Sequence, residues 1–151
     1  DNGIVVDATL ATADPTIFAI GDVANFPHAP AGRRVRLESV QNASDQAKHV
    51  AKTIVGKPEP YRETPWFWSD QYEVKLQIAG FNLGYDETLT RPGSRERSLS
   101  VWYFREGRLI AVEAINDAKA YVTGKKLLDT GREPDRAVIL DPLADLKQLL
   151  S

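Results

Sequence analysis

Three of the nine prolines in this 151-residue chain fall between Lys57 and Pro65, in a stretch with few apolar residues. Proline fixes φ and lacks an N–H, so neither a helix nor a central strand runs through such a segment. The chain must therefore fold on either side of it, and the apolar rhythm changes there. Before it, Ala43, Ala47, Val50, Ala51 and Ile54 recur at helical spacing; after it, Val74, Leu76 and Ile78 alternate with Lys75 and Gln77, as in a strand with one buried face. Two domains are expected, residues 1–63 and 64–151.

In the first, the run Ile4 to Val6 reads as a strand leaving a turn at Asn2-Gly3. Ile17 to Ile20 is a continuous apolar run, which predicts a strand buried on both faces of a parallel sheet and ending at Gly21-Asp22. Asn25 to Gly32, with two prolines and a glycine, reads as a loop. Ser39 is the expected N-cap of the helix, and Gly56 its stop. In the second domain a strand from Glu87 to Arg91 precedes a hairpin, Leu99–Arg105 and Leu109–Ile115, turning at Glu106-Gly107. Asn116 is expected to cap a helix through Leu128, and Asp141-Pro142 to open a last short one. Grouped strands followed by helices define an α+β fold.

Several function classes drop out. With no cysteine, the chain has no thiolate metal site, no iron–sulfur ligation and no cysteine nucleophile, and it suits a reducing compartment such as the cytoplasm. A formal net charge of −2 gives no overall attraction to nucleic acid or anionic membrane. No apolar run approaches the ~20 residues of a membrane span. Methionine is also absent, and the first residues run from a turn straight into a strand, so the chain is expected to be a piece of a longer protein.

The stretch Thr16-Ile17-Phe18-Ala19-Ile20-Gly21-Asp22-Val23-Ala24 is the most informative. A buried strand ending in Gly-Asp sets a carboxylate at the carboxyl edge of a sheet, where open α/β sheets bind ligands. Gly21 would let a ligand approach the backbone, and Asp22 would either accept hydrogen bonds from sugar-alcohol hydroxyls or cap a turn. Trp66 and Trp68 flank Phe67 and read first as packing residues. His28 and His49, without ligand-type neighbours, read as solvated bystanders, and Arg91, Arg95, Arg97, Arg105 and Arg108 as a solvated basic face. No catalytic constellation, metal site or glycine-rich GxGxxG dinucleotide loop is present.

Thr16–Ala24, preceded by Val5-Val6-Asp7, resembles the segment of two-dinucleotide-fold flavoproteins whose aspartate binds the FAD ribityl chain. Pro65-Trp66-Phe67-Trp68-Ser69-Asp70-Gln71, with Arg36-Leu37-Glu38-Ser39-Val40-Gln41-Asn42-Ala43 ahead of it, is similar to the bacterial ferredoxin reductases that serve cytochrome P450 and Rieske-type oxygenases. The resemblance implies the tail of a Rossmann-like FAD-binding domain followed by a small reductase C-terminal domain. It implies FAD held in part by Gly21, Asp22, the backbone of Val40, and Trp68, with NAD(P)H as the substrate of the full-length enzyme. It further implies a [2Fe–2S] ferredoxin as partner, with Lys48 at the docking site. Without a glycine-rich loop the chain is expected to be inactive alone. The competing expectation is a non-catalytic dimerisation or interaction module of a related flavoprotein.

Overall fold

The computed structural model describes residues 2–151; Asp1, where the expected opening turn begins, lies outside the described residues. The chain forms two compact units, Asp1–Glu63 and Thr64–Ser151.

In the first unit, β1 (Ile4–Val5) pairs in parallel with β2 (Ala24–His28), and β2 pairs antiparallel with β3 (Arg33–Val35). The region expected to be a loop is therefore a strand, followed by one 3-10 turn at Ala29–Ala31. The alternation explains it: Ala24, Phe26 and His28 point inward while Asn25 and Pro27 are half-buried. The expected strand at Ile17–Ile20 does not form. Ala11 and Phe18 make an isolated antiparallel bridge, and Ile20 is extended but lies in no ladder. Ile17 and Ile20 are exposed, so the apolar run is not buried on two faces in this chain.

Helix α1 (Val40–Ile54) starts where Ser39 Oγ accepts the Asn42 N–H at 3.1 Å, and Gly56 follows its last turn at φ +81°. Its period is as expected but its buried face is not. Asn42, Gln46, His49 and Val50 face inward, whereas Ala47, Ala51 and Ile54 are exposed. The neighbours across that face explain the choice, because they are polar. Asn42 donates to Leu37 O at 3.0 Å and accepts from the Tyr61 hydroxyl at 3.3 Å, and His49 Nε2 bonds Glu59 O. His28 is buried too, its Nδ1 accepting the Ala31 N–H at 3.2 Å. Both histidines are thus interior structural groups and not solvated bystanders.

The second unit is an antiparallel sheet in the order β4 (Trp66–Gln71), β5 (Val74–Gly80), β8 (Arg108–Ile115), β7 (Leu99–Arg105), β6 (Glu87–Pro92). Ser69 and Asp70 lie inside β4 and pair with Leu76 and Lys75. The β7–β8 turn has Glu106 at φ +50° and Gly107 at φ +78°, both in the left-handed region that the tightest hairpins require. Trp102 and Phe104 of β7 alternate inward with Leu109, Val112 and Ala114 of β8. Helix α2 (Ala118–Thr130) covers that face through Ala120, Tyr121 and Leu127. Gly124 permits the close approach, since a Cβ there would stand 2.5 Å from Val112 Cγ2.

Helix α2 is capped by Asp117 and not by Asn116, which sits at φ +50° and bonds Lys75 and Arg97 instead. The last regular pieces are α3 (Arg136–Leu140), capped by Asp135, and a 3-10 turn at Leu146–Leu150, capped by Asp145. Asp141 closes α3, so no helix starts at Asp141-Pro142. The reason is Arg91, which is buried and leaves the basic face. Its guanidinium donates to five carbonyls, those of Val138, Ile139, Asp141, Pro142 and Ala144, at 2.5–3.2 Å. It consumes the carbonyls that α3 leaves unpaired at its end and holds the following bend.

Candidate functional site

Gly21–Val23 is a single 3-10 turn that packs against α1. Gly21 has φ +70°, a conformation L-residues avoid, and a Cβ there would lie 3.2 Å from Ala43 Cβ. Its N–H donates to Gln46 Oε1 at 2.7 Å in a buried bond. The next carbonyl, that of Asp22, accepts from Arg36 Nη1 at 2.8 Å. Arg36 is itself tied to Asn2 Oδ1 at 2.8 Å and paired with Glu38. The turn is therefore gripped through its backbone from both ends, and the Asp22 side chain is left exposed. Among the described residues no hydrogen bond or ion pair reaches its carboxylate.

Beside this turn stands the N-terminus of α1. The N–H groups of Val40 and Gln41 are in the first turn of the helix and have no intrahelical acceptor, while Asn42 N and Ala43 N are taken by Ser39. Val40 is 69% exposed. Free amides and the positive end of the helix dipole favour an anion or an electron-rich ring edge at this point. Gly21, Asp22 and Val40 thus belong to one region of one unit. Lys48 lies eight residues further along α1, about 12 Å at 1.5 Å per residue. It is exposed and within 3.5 Å of Asp45 Oδ1, so it is not a free cation.

Trp68 lies in the second unit on β4. It is 40% exposed and stands 5.5 Å from Trp66 and 6.2 Å from Phe67, ring centre to ring centre. Trp66 is half-buried and leans on the core through Tyr121, at 6.4 Å. The packing reading therefore holds for Trp66, and Trp68 is the member of the pair that offers a flat face.

Burial, reinforced by the carboxylates of Asp45 and Glu63, pushes the Tyr61 hydroxyl far up, and burial pushes His28 down. Both stay neutral near pH 7. Among the described residues no cluster of three or more His, Asp or Glu is placed to hold a metal, and no helix is long and apolar enough to cross a membrane. A cleft of about 350 Å³ opens near Arg33, Arg34 and Arg62, but none of the expected site residues lines it.

The donor set suits a flavin: an exposed carboxylate for polyol hydroxyls, carried on a turn that Gly21 lets sit against α1, and helix amides for the electron-rich end of the ring. Gln46 and Arg36, which position the turn, were not singled out from the sequence. The signal for Gln46 was the polar stripe Asn42–Gln46–His49 at helical spacing; Arg36 carried none.

The first unit thus sets an exposed carboxylate turn against an open helix N-terminus, and the second is a separate antiparallel unit. The family described as pyridine nucleotide-disulphide oxidoreductase matches residues 1–47. The family described as reductase C-terminal matches residues 66–150, and the chain belongs to it. It is 44% identical over 149 residues to the 5,5′-dehydrodivanillate O-demethylase ferredoxin reductase subunit of a Sphingobium species, covering 98% of this chain and 36% of that one. The crystal structure of the ferredoxin reductase for the CYP199A2 system of Rhodopseudomonas palustris superposes with a TM-score of 0.92 at 43% identity, covering 99% of this chain and 37% of that one. The covalent putidaredoxin reductase–putidaredoxin complex gives a TM-score of 0.92 at 35% identity, with 99% and 36% covered. The chain thus spans about 36% of the length of the curated relatives it matches.

Proposed function

We propose that this chain forms part of a reductase that passes electrons from NAD(P)H through FAD to a [2Fe–2S] ferredoxin, which in turn serves a cytochrome P450 or a Rieske-type oxygenase. The observation that carries the reading is the exposed Asp22 carboxylate held beside the open N-terminus of α1. Bound FAD supplies the redox chemistry, taking a two-electron equivalent from the nicotinamide and releasing electrons singly. The residues of this chain bind and orient. Asp22 accepts hydrogen bonds from the ribityl hydroxyls, and Gly21, with no Cβ to strike Ala43, lets the turn that carries Asp22 sit against α1. The Val40 N–H and the dipole of α1 favour negative charge at the pyrimidine end of the ring. Trp68 shields the ring from water with its indole face.

The similar structures support a ferredoxin partner, since one of them is a complex of putidaredoxin reductase with putidaredoxin. The names of two relatives, an O-demethylase reductase subunit and a reductase for a CYP199A2 system, support service to an oxygenase. Lys48 is the proposed contact for an acidic partner, and the cytoplasm the proposed compartment.

The test is Asp22→Ala in the intact protein. Loss of a charge-assisted hydrogen bond, roughly 1.5–3 kcal/mol, should weaken FAD binding about ten- to a hundredfold while the melting temperature holds. Unchanged FAD affinity would reduce Asp22 to a turn residue.

A further inference from the structure

Gln46 is fully buried in the middle of α1, yet its carboxamide is only half used. Its Oε1 accepts the Gly21 N–H at 2.7 Å across 25 positions of sequence, while its Nε2 has no partner among the described residues. A buried donor left unpaired works against stability, so the side chain is not explained as core filling. Leucine or methionine would occupy a similar volume with no orphaned group. What glutamine adds is an acceptor for one particular N–H, that of the residue before Asp22.

The grip is two-pointed. Ala43 stands against the Gly21 Cα, and Gln46, three residues on and so on the same helical face, holds its nitrogen. Gln46 holds the Ile20–Gly21 peptide and Arg36 the Asp22–Val23 peptide, so the backbone is gripped on both sides of Asp22 while its side chain is exposed.

We propose that Gln46 is a positioning residue for the cofactor: it sets the Gly21–Asp22 turn against α1 so that the Asp22 carboxylate is presented to a polyol chain. This rests on the reading of Asp22 as a ribityl ligand. The account assigns Gln46 no contact with the cofactor, so its whole effect must pass through Asp22.

A double-mutant cycle in the intact protein tests that coupling, with FAD dissociation constants from flavin fluorescence and melting temperatures of the apoprotein. Gln46→Leu should weaken FAD binding about tenfold in the wild-type background. In the Asp22→Ala background the same change should cost less than about twofold, because the group it positions is gone. Full additivity overturns the proposal. A tenfold loss in Gln46→Leu with no loss in Asp22→Ala overturns it as well, and in that case removes the ribityl role of Asp22.

Gln46→Glu is the conservative arm, and it serves if the leucine variant does not fold. The carboxyl keeps an oxygen to accept the Gly21 N–H, and burial favours its neutral form. At acid pH the FAD affinity of this variant should lie within about twofold of wild type. A tenfold loss there, in a variant that folds, overturns the proposal.

Discussion

Helices α1 and α2 have nearly the same length, yet they bury opposite chemistry. The inward face of α1 is Asn42, Gln46, His49 and Val50, and each of its three polar side chains bonds a carbonyl, a backbone amide or Tyr61, with Gln46 Nε2 left over. The inward face of α2 is Ala120, Tyr121, Thr123, Gly124 and Leu127, laid on a sheet whose buried residues are Trp102, Phe104, Val112 and Ala114. Burial of apolar area is non-directional and tolerates small shifts, whereas a polar seam fixes register and angle. The second unit is therefore built for stability and the first for placement. Its apolar groups agree: Ile54 is 68% and Val55 70% exposed in the first unit, while Trp102 and Phe104 of the second are fully enclosed.

The largest effect should appear when the two units are separated. Residues 64–151 alone should unfold in one cooperative thermal transition, with the slowest-exchanging amides in β7 and β8. Residues 1–63 alone should show neither a sharp transition nor protected amides in β2, because too little apolar surface is enclosed. Equal cooperativity in both would erase the contrast.

Arg91 marks where the second unit departs from apolar logic, and it gives the next largest effect. Arg91→Met removes the donor from five carbonyls and should destabilise by on the order of 3 kcal/mol. Hydrogen exchange should rise across residues 136–150 more than in β7 or β8. A uniform rise would mean that Arg91 supports the whole unit.

How much of this was legible depends on which forces set each element. The hairpin at Glu106-Gly107 could be read because period-two alternation and left-handed residues are local signals. The start of α1 was read from Ser39 for the same reason. The inward face of α1 was not, because alanines choose no face by themselves and the polar groups that select Asn42 and Gln46 come from Gly21, Leu37 and Tyr61. The run Ile17–Ile20 misled because apolar content measures burial, whereas a strand needs a partner, and among the described residues this run makes an isolated bridge, Ala11 to Phe18, and joins no ladder. Arg91 misled through composition: five arginines near one hairpin look alike until carbonyls from residues 138–144 claim one of them. Of the candidate site, Gly21, Asp22 and Val40 were proposed from their motif, while the side chains that hold the turn were not.

The smallest expected effect concerns Lys48. An exposed pair is worth only ~0–1 kcal/mol, and Asp45 at 3.5 Å already occupies part of the charge. Lys48→Glu in the intact protein should leave NADH–ferricyanide turnover unchanged and slow ferredoxin reduction through association, most clearly at low salt. Identical ferredoxin kinetics at low ionic strength would move the docking surface elsewhere.

The central claim is that this chain contributes a flavin site working between a nicotinamide and a ferredoxin, and one titration addresses it directly. The intact protein should purify with a flavin absorbance near one FAD per chain. Anaerobic NADH or NADPH should bleach that absorbance, and added [2Fe–2S] ferredoxin should restore it as the iron–sulfur centre is reduced. A protein that binds no flavin, or whose flavin neither nucleotide can bleach, would contradict the account.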